Sequence, residues 1–388
     1  MKIQLNAKAF RRLQLGHPWI FRSDISVPDK SEAGIAMLMS PAGKFLGKAL
    51  YSPHSEIALR FLTARDEAID ENFWENRIRQ ALLTRQELNI DSNAYRVVFG
   101  ESDGIPSFVL DCYDQAYSFQ ILSAGLESQR DALLKSIHKI FNPKLIVERN
   151  DVSVRKLEQL PLVSQVLFGD ASTRVKIREG TLSYEVDLLE GQKTGAFLDQ
   201  RSNRLKAGEY SKNKKRILDV CSYQGWFSCQ MAQDGAEVIA MDQSALACEM
   251  VKRNAKLNSL NNIEVIEANA FDALKEMDQN KEKFDLINLD PPAFVKSRKQ
   301  IKNALRGYKE INLRGMKMLN EGGILITSSC SHHLSEENFI GLLHEAALDA
   351  KKKVQILEKC YQAPDHPALL GFPESNYLKC FFLKVYSI

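Results

Sequence analysis

No phosphate-binding glycine loop occurs in this chain of 388 residues. A G-x-G-x-x-G run and a P-loop are both missing, so nothing looks built to cradle a pyrophosphate or triphosphate. The 7 cysteines include no Cys-x-x-Cys pair. Their odd number and scatter argue against a disulfide framework or a zinc site, and no metal is expected. No apolar run approaches the roughly 18–20 residues that span a bilayer. The opening "MKIQLNAKAFRRLQLGHPW" has basic residues but no long apolar core and no small-residue cleavage site. It therefore does not read as a signal peptide, and the expected address is the cytoplasm, with no membrane partner. Repeats and low-complexity segments are also lacking. Charge of one sign is scarce overall, with a net charge of only +3.

What is present is ordinary for a soluble protein with real cores: 44% hydrophobic and 26% charged residues. The length fits two or three domains. Residues 1–60 carry nine Lys and Arg against four Asp and Glu, a local excess that suits a phosphate backbone as well as a plain solvated surface.

The chain reads in three parts. Residues 1–70 look like short strands between turns, a small β barrel or sandwich. Residues 71–188 read as α+β: a helix near 71–88, a meander from "YRVVFGESDGIPSFVLDCYD", a helix near 130–140 and the strand "KLIVERN". From 189 to 388 strands alternate with helices of 10–15 residues, which implies a parallel doubly wound sheet of the Rossmann-like kind. Ser244 is a candidate N-cap, and a helix is expected to end at Gly322-Gly323 before the strand "GILITSSC". Ligands of such sheets sit beyond the carboxyl ends of the strands. Asp219–Gly225, Asp242, Asn269, Asp290 and Cys330 all fall at such ends.

Four stretches carry chemistry. In "ILDVCSYQGWFS" an apolar strand ends in Asp219, and a turn with the single glycine Gly225 opens a helix, which suits an adenosine ligand without phosphates. Asp242 ends the next strand, where an acid accepts both hydroxyls of a ribose. In "LDPPAFVKSRKQIKNALR" two prolines stiffen the turn that carries Asp290 and Phe294. A base stacks on an aromatic and hydrogen-bonds a carboxylate, and Lys296, Arg298, Lys299, Lys302 and Arg306 follow at once, as a phosphate backbone requires. In "ILITSSCSHHLSEE" the thiol of Cys330 stands at a strand end ahead of a helix start at Ser335, with His332 and His333 close by. That placement fits a nucleophile. Cys229 and Cys248 sit within helix patterns and read as core. Taken singly, each stretch also has a plain reading: a strand–helix turn, a proline turn, a buried thiol.

Together, "DVCSYQGWF", "MDQS", "LDPPAF" and "SSCSHH", in that order, resemble the class I S-adenosylmethionine-dependent methyltransferases. They are most similar to the RlmI-like 23S ribosomal RNA (cytosine-5)-methyltransferases. "GHPWIFRSDI" with "GKFLGKALYSPHSEIALR" resembles the N-terminal PUA domain of that family, "GESDGIPSFVLDCYD" its central domain, and "EGQKTGAFLDQRSNR" the entry to its catalytic domain.

The resemblance implies roles. Asp219, Cys221, Ser222, Tyr223 and Gly225 line the amino-acid end of S-adenosylmethionine. Asp242 and Gln243 hold its ribose, and Asn269 and Ala270 lie near its adenine. Asn269 departs from the Asp usual there, and its amide still reaches adenine. Asp290 borders the cofactor and orients cytosine by its exocyclic amine. Gln200 and Arg201 lie near the cofactor or the flipped base, Phe294, Lys296 and Arg298 on the RNA. Cys330 is the nucleophile. The implied partner is 23S ribosomal RNA, naked or in a partly assembled subunit, and members often look like homodimers.

Two rival readings stand beside this one. An N-methyltransferase uses a D/N-P-P-aromatic motif one residue away from "DPPAF" and needs no thiol. A non-catalytic RNA-binding assembly factor uses only the basic strip and the β domain.

Overall fold

A computed structural model describes residues 1–26, 32–170, 172–294, 301–331 and 334–388, with the side chains of 301–303 left aside. Lys296, Arg298, Lys299, His332 and His333 and the side chain of Lys302 therefore lie outside what is described. The chain forms two compact units. One comprises Met1–Ile177, Val186–Leu198 and Pro364–Ser375, the other Arg178–Glu185, Asp199–Ala363 and Asn376–Ile388.

The first unit opens with a six-stranded sheet. Its strands are β1 (Lys2–Leu5), β2 (Trp19–Ile20), β3 (Ile25–Ser26), β4 (Gly34–Met39), β5 (Phe45–Tyr51) and β6 (Leu59–Thr63), with α1 (Ala7–Gln14) after β1. The spatial order is β2-β6-β5-β4-β1-β3. Alternate residues of β4 face inward, as period-2 patterning requires, and Ile3, Ala9, Leu38 and Leu59 fill the core. Next come α2 (Glu71–Glu87), β7 (Ala94–Phe99), β8 (Phe108–Tyr113), β9 (Ala116–Ile121), α3 (Ala124–Glu127), α4 (Arg130–Phe141), β10 (Leu145–Asn150) and β11 (Val163–Phe168). They build a five-stranded sheet in the order β11-β10-β9-β8-β7. Asp70 caps α2 by accepting from the Phe73 amide at 3.0 Å. The two sheets share a core, because Leu50 and Leu62 pack with Trp74, Phe108 and Ile137. A buried ion pair, Arg60–Glu158 at 2.9 Å, fastens them as well. Residues 364–375 return to this unit, where the Asp365 carboxylate accepts from the Arg96 amide at 2.9 Å. A two-stranded hairpin follows in sequence, β12 (Arg174–Glu179) and β13 (Leu182–Asp187).

The second unit begins with α5 (Arg201–Ser211) and continues as β14 (Arg216–Val220), α6 (Trp226–Ala232), β15 (Glu237–Asp242), α7 (Ala245–Leu257), β16 (Ile263–Glu267) and α8 (Ala270–Gln279). It closes with β17 (Phe284–Leu289), α9 (Ile301–Met318), β18 (Leu319–Ser329), α10 (Glu336–Asp349), β19 (Lys352–Cys360) and β20 (Lys379–Ser387). The seven strands lie in the order β16-β15-β14-β17-β18-β20-β19. The first five are mutually parallel, and β20 runs antiparallel between β18 and β19. This is the expected doubly wound α/β sheet. Its central strands read as continuous apolar runs because both faces are covered. Ile217, Leu286 and Ile324 enter the core on one face, Leu218, Ile287 and Leu325 that on the other.

One boundary differs from the sequence reading. Helix α9 stops at Met318, and β18 already begins at Leu319, so Gly322-Gly323 lie inside a strand rather than at a helix end. Gly322 has φ +68°, and the register with β17 slips between Phe284 and Leu286. The glycine pair is a strand bulge, which sequence alone does not separate from a helix stop.

Candidate functional site

The strand order reverses between β14 and β17, the point at which an open α/β sheet leaves a crevice at its carboxyl edge. Val220 pairs with both Met241 and Leu289, and Leu289 pairs with Thr327. The turns after β14, β15, β17 and β18 therefore leave the sheet side by side.

After β14 the backbone is contorted. Cys221 has φ +61°, Tyr223 φ +48° and Gly225 φ +75°. Non-glycine residues rarely take such values, and they persist only where the surroundings impose them. Here the Ser222 amide donates to the Met241 carbonyl at 2.9 Å, and the Tyr223 amide to Asp242 Oδ2, also at 2.9 Å. Gly225 is needed for a second reason: a Cβ there meets Val251 Cγ1 of α7 at 2.8 Å.

Asp219 differs from its expected role. Its carboxylate is fully buried, accepting from Asn288 Nδ2 at 2.8 Å and from the Ser228 hydroxyl. Burial pushes its pKa up to about 6, against the opposing pull of Ser228 and Asn288. Asp219 thus braces β14, β17 and the first turn of α6 from beneath the crevice, with no surface of its own to line a cofactor. Cys221 is half-buried. Its thiol is pushed up to about 12 by burial, then by the nearby carboxylates of Asp242, Asp290 and Asp219. Three acids thus converge on this turn.

Asp242, half-buried, accepts from the Tyr223 and Ser244 amides, one on each oxygen, at 2.9 and 3.0 Å. Each carboxylate oxygen has two lone pairs, so this engagement is compatible with a further donor such as a ribose hydroxyl. Gln243 is exposed beside it. Asn269, exposed, caps α8 by accepting from the Phe271 amide at 3.0 Å, an Asx cap that an Asp supplies equally well. The cap occupies its oxygen and leaves the role expected toward adenine to its amide. Ala270, half-buried, packs on the core.

Asp290 follows β17 and is held by Gln200, whose Nε2 donates to Oδ1 at 3.0 Å and also reaches Ser328 Oγ at 3.3 Å. Asn203 fixes Gln200 in turn, donating to its Oε1 at 2.6 Å. Arg201 is buried at the start of α5. Phe294, expected to offer a stacking face, is half-buried, with its ring 4.7 Å from that of Tyr308 and 5.8 Å from that of Phe271. It anchors the proline turn to the core. Arg306 is exposed on α9.

Cys330 lies three residues past the Leu289–Thr327 pair, half-buried, with Asp290 one residue past it on the neighbouring strand. A clasp missed at the sequence level holds it. Ser329 Oγ donates to the Tyr308 hydroxyl at 3.1 Å, and the Tyr308 hydroxyl pairs with Ser331 Oγ at 3.1 Å. Lys379 Nζ donates to the Ser331 carbonyl at 2.9 Å. The serines flanking Cys330 were the visible signal; Tyr308 and Lys379 come from distant elements and left none. Burial raises the other six thiols, Cys112, Cys221, Cys229, Cys248, Cys360 and Cys380. That is the behaviour of inert packing cysteines.

The residues fit an adenosine cofactor bearing a sulfonium and an ammonium group. Positive charge suits the three acids, and Ser222 Oγ is buried with no partner among the described residues, as a group awaiting a ligand would be. A crevice of this form at the switch point of a seven-stranded sheet defines a class I methyltransferase, the class that draws its methyl group from S-adenosylmethionine. Family comparison agrees: residues 211–363 match a methyltransferase domain and residues 3–64 a PUA-like domain.

The particular family follows from full-length relatives. The chain is 40% identical over 373 residues to ribosomal RNA large subunit methyltransferase I of Tolumonas auensis, covering 94% of each chain. With the Pseudoalteromonas atlantica protein of that name it shares 38% over 392 residues, covering 99% of each. The chain belongs to the ribosomal RNA large subunit methyltransferase I family. Among solved structures, a candidate methyltransferase from Streptococcus mutans has the same fold, with a TM-score of 0.86 at 23% identity, over 99% of this chain and 100% of that one. Among the described residues, no helix is long and apolar enough to cross a membrane.

Proposed function

We propose that this protein methylates C5 of a cytosine in large-subunit (23S) ribosomal RNA, through a covalent bond between Cys330 and C6. The observation that carries the reading is the placement of Cys330. It stands at a strand end beside the turn that carries Asp290, and Tyr308 bonds the serines on either side of it.

S-adenosylmethionine supplies an electrophilic methyl group when bound. The turn 221–225 and Asp242 hold its amino-acid and ribose portions, and Asn269 lies toward the adenine. Asp219 contributes by keeping the turn in shape. Asp290 accepts from the exocyclic amine of the cytosine, and Gln200 fixes the plane of its carboxylate. The Cys330 thiolate adds to C6, forming a C–S bond and moving the C5–C6 electron pair onto C5. C5 takes the methyl group, a base removes the C5 proton, and the returning pair restores the double bond and expels the thiolate. Splitting one hard step into two easier ones is the general benefit of covalent catalysis. The base must leave its stack to reach this edge, which favours single-stranded or loop RNA. In this reading residues 1–70 grip RNA, 71–188 form the central module and 189–388 carry the chemistry, in the cytoplasm, on naked RNA or a partly assembled subunit. Lys296 and Arg298 guide the RNA backbone, and a homodimer is the expected assembly.

The test is methyl transfer to ribosomal RNA from cells lacking this gene, with nucleosides identified by mass. Wild type should form 5-methylcytidine, and Cys330→Ala should form none. A methylated nucleoside of equal yield from both proteins overturns the reading in favour of amino-group methylation at the Asp290-Pro291-Pro292 turn.

A further inference from the structure

We propose that Lys379 is the positioning residue that keeps Cys330 in its thiolate form. The inference deepens the assignment of Cys330 as nucleophile and rests on it. Strand β20 runs antiparallel to β18, with Lys379 directly opposite Ser329. The lysine thus enters the sheet at the residue before Cys330, and its Nζ donates to the carbonyl of the residue after it, Ser331, at 2.9 Å. The strand register thus sets Lys379 opposite the residue before the thiol, and its ammonium is tied to the backbone of the residue after it.

Two features make this more than a structural hydrogen bond. First, Lys379 is only 6% exposed. A buried ammonium is costly unless an opposite charge accompanies it. Among the described residues no carboxylate lies within ion-pair distance of its Nζ. The carboxylate that acts on it electrostatically, Glu336 of α10, is taken by Lys359 at 2.9 Å and by the Tyr361 hydroxyl at 2.8 Å. Second, Cys330 and Lys379 act on each other electrostatically: burial brings the lysine down to about 8, and negative charge at Cys330, then Glu336, pulls it back up. Such coupling is mutual, so an ammonium at this place favours the thiolate. The other titratable neighbours do not supply that cation. Tyr308 of α9, itself raised by burial, donates or accepts as a neutral hydroxyl. Asp290 beyond β17 reaches this edge through Gln200 and Ser328, and as an anion it opposes a thiolate. His332 and His333 follow in sequence outside the described residues.

The experiment is the pH dependence of iodoacetamide labelling at Cys330, read by mass spectrometry of its peptide. It uses the full chain without RNA or methyl donor, as wild type, Lys379→Met and Lys379→Arg. The wild-type midpoint should lie below the ordinary thiol value of about 8.5. In Lys379→Met it should rise by at least about one unit, slowing labelling at pH 7 about tenfold. Lys379→Arg, which keeps the charge, should stay close to wild type. An unchanged midpoint in Lys379→Met overturns the proposal. So does a wild-type midpoint at or above 8.5, which needs no variant to fold. Because labelling requires neither RNA nor methyl transfer, failure here is separable from failure of the 5-methylcytidine reading.

Discussion

Replacing Gly225 with alanine puts a methyl group where the structure has no room. The new Cβ lies 2.8 Å from Val251 Cγ1, 3.0 Å from Cγ2 and 3.1 Å from the Val251 Cα. Rotating the valine relieves the first two contacts but not the third, which is backbone. Helix α7 or the turn must therefore move. Overpacking of this kind costs about 1–3 kcal/mol. The φ of +75° adds about 1–2 kcal/mol for a residue with a Cβ. The stiffer unfolded chain returns about 0.4–1 kcal/mol. The net expectation is a loss of about 1–4.5 kcal/mol, read by urea unfolding followed by circular dichroism. Because the turn also carries Ser222, proposed above to face the cofactor, affinity for S-adenosylhomocysteine should fall in the same variant. Val251→Ala removes two of the three contacts, so the double variant should be more stable than the sum of the single losses predicts. A Gly225→Ala protein within about 0.5 kcal/mol of wild type, or strict additivity with Val251→Ala, refutes the packing argument.

Further predictions concern the acids and their supports. The folded-state pKa of Asp219 is raised to about 6 from an ordinary 3.8, so the folded chain holds this proton more tightly than the unfolded chain does. The stability it contributes is full below the unfolded value and is lost as pH rises through about 6, a change of roughly 3 kcal/mol. Asp219→Asn cannot titrate, so its stability relative to wild type should improve by that order between pH 4 and pH 8; a difference independent of pH refutes the assignment. Asp242→Ala should weaken S-adenosylhomocysteine binding about tenfold or more by calorimetry, since hydrogen bonds to a charged group contribute about 1.5–3 kcal/mol each. Gln200→Ala frees the Asp290 carboxylate to rotate. It should lower kcat/KM for RNA about tenfold while leaving cofactor affinity near wild type; equal losses in both would assign Gln200 to the cofactor instead.

The parts of this molecule legible in sequence are those with local signals. The period of strands and helices announced the doubly wound sheet, and Ser244 and Ser335 do cap their helices, accepting from the Ala247 and Asn338 amides. Strand-end placement put Asp242, Asp290 and Cys330 on one edge, because chain direction alone decides it in a parallel sheet. Burial was the blind spot. Asp219 has the same strand-end position as Asp242, yet Ser228 and Asn288 draw it under the turn, and those partners lie 9 and 69 residues away. Phe294 follows the prolines as a stacking residue would, and its ring contacts with Phe271 and Tyr308 were not legible because those residues arrive on helices distant in sequence. Lys379 reaches the backbone beside Cys330 only through an antiparallel register that no local pattern encodes. The bulge at Gly322 misled for a related reason, since a positive-φ glycine serves a helix stop and a strand irregularity alike.

The central claim is the bond between Cys330 and C6, and the most direct measurement is a trap. In RNA carrying 5-fluorocytidine at the target position, methylation leaves fluorine where the proton should depart, so the thiolate cannot be expelled. With S-adenosylmethionine present, the wild-type protein should form an RNA adduct that survives denaturation, and its peptide should map to Cys330. Cys330→Ala should form none. An adduct on another cysteine, or undiminished 5-methylcytidine formation on ordinary RNA by Cys330→Ala, contradicts the account.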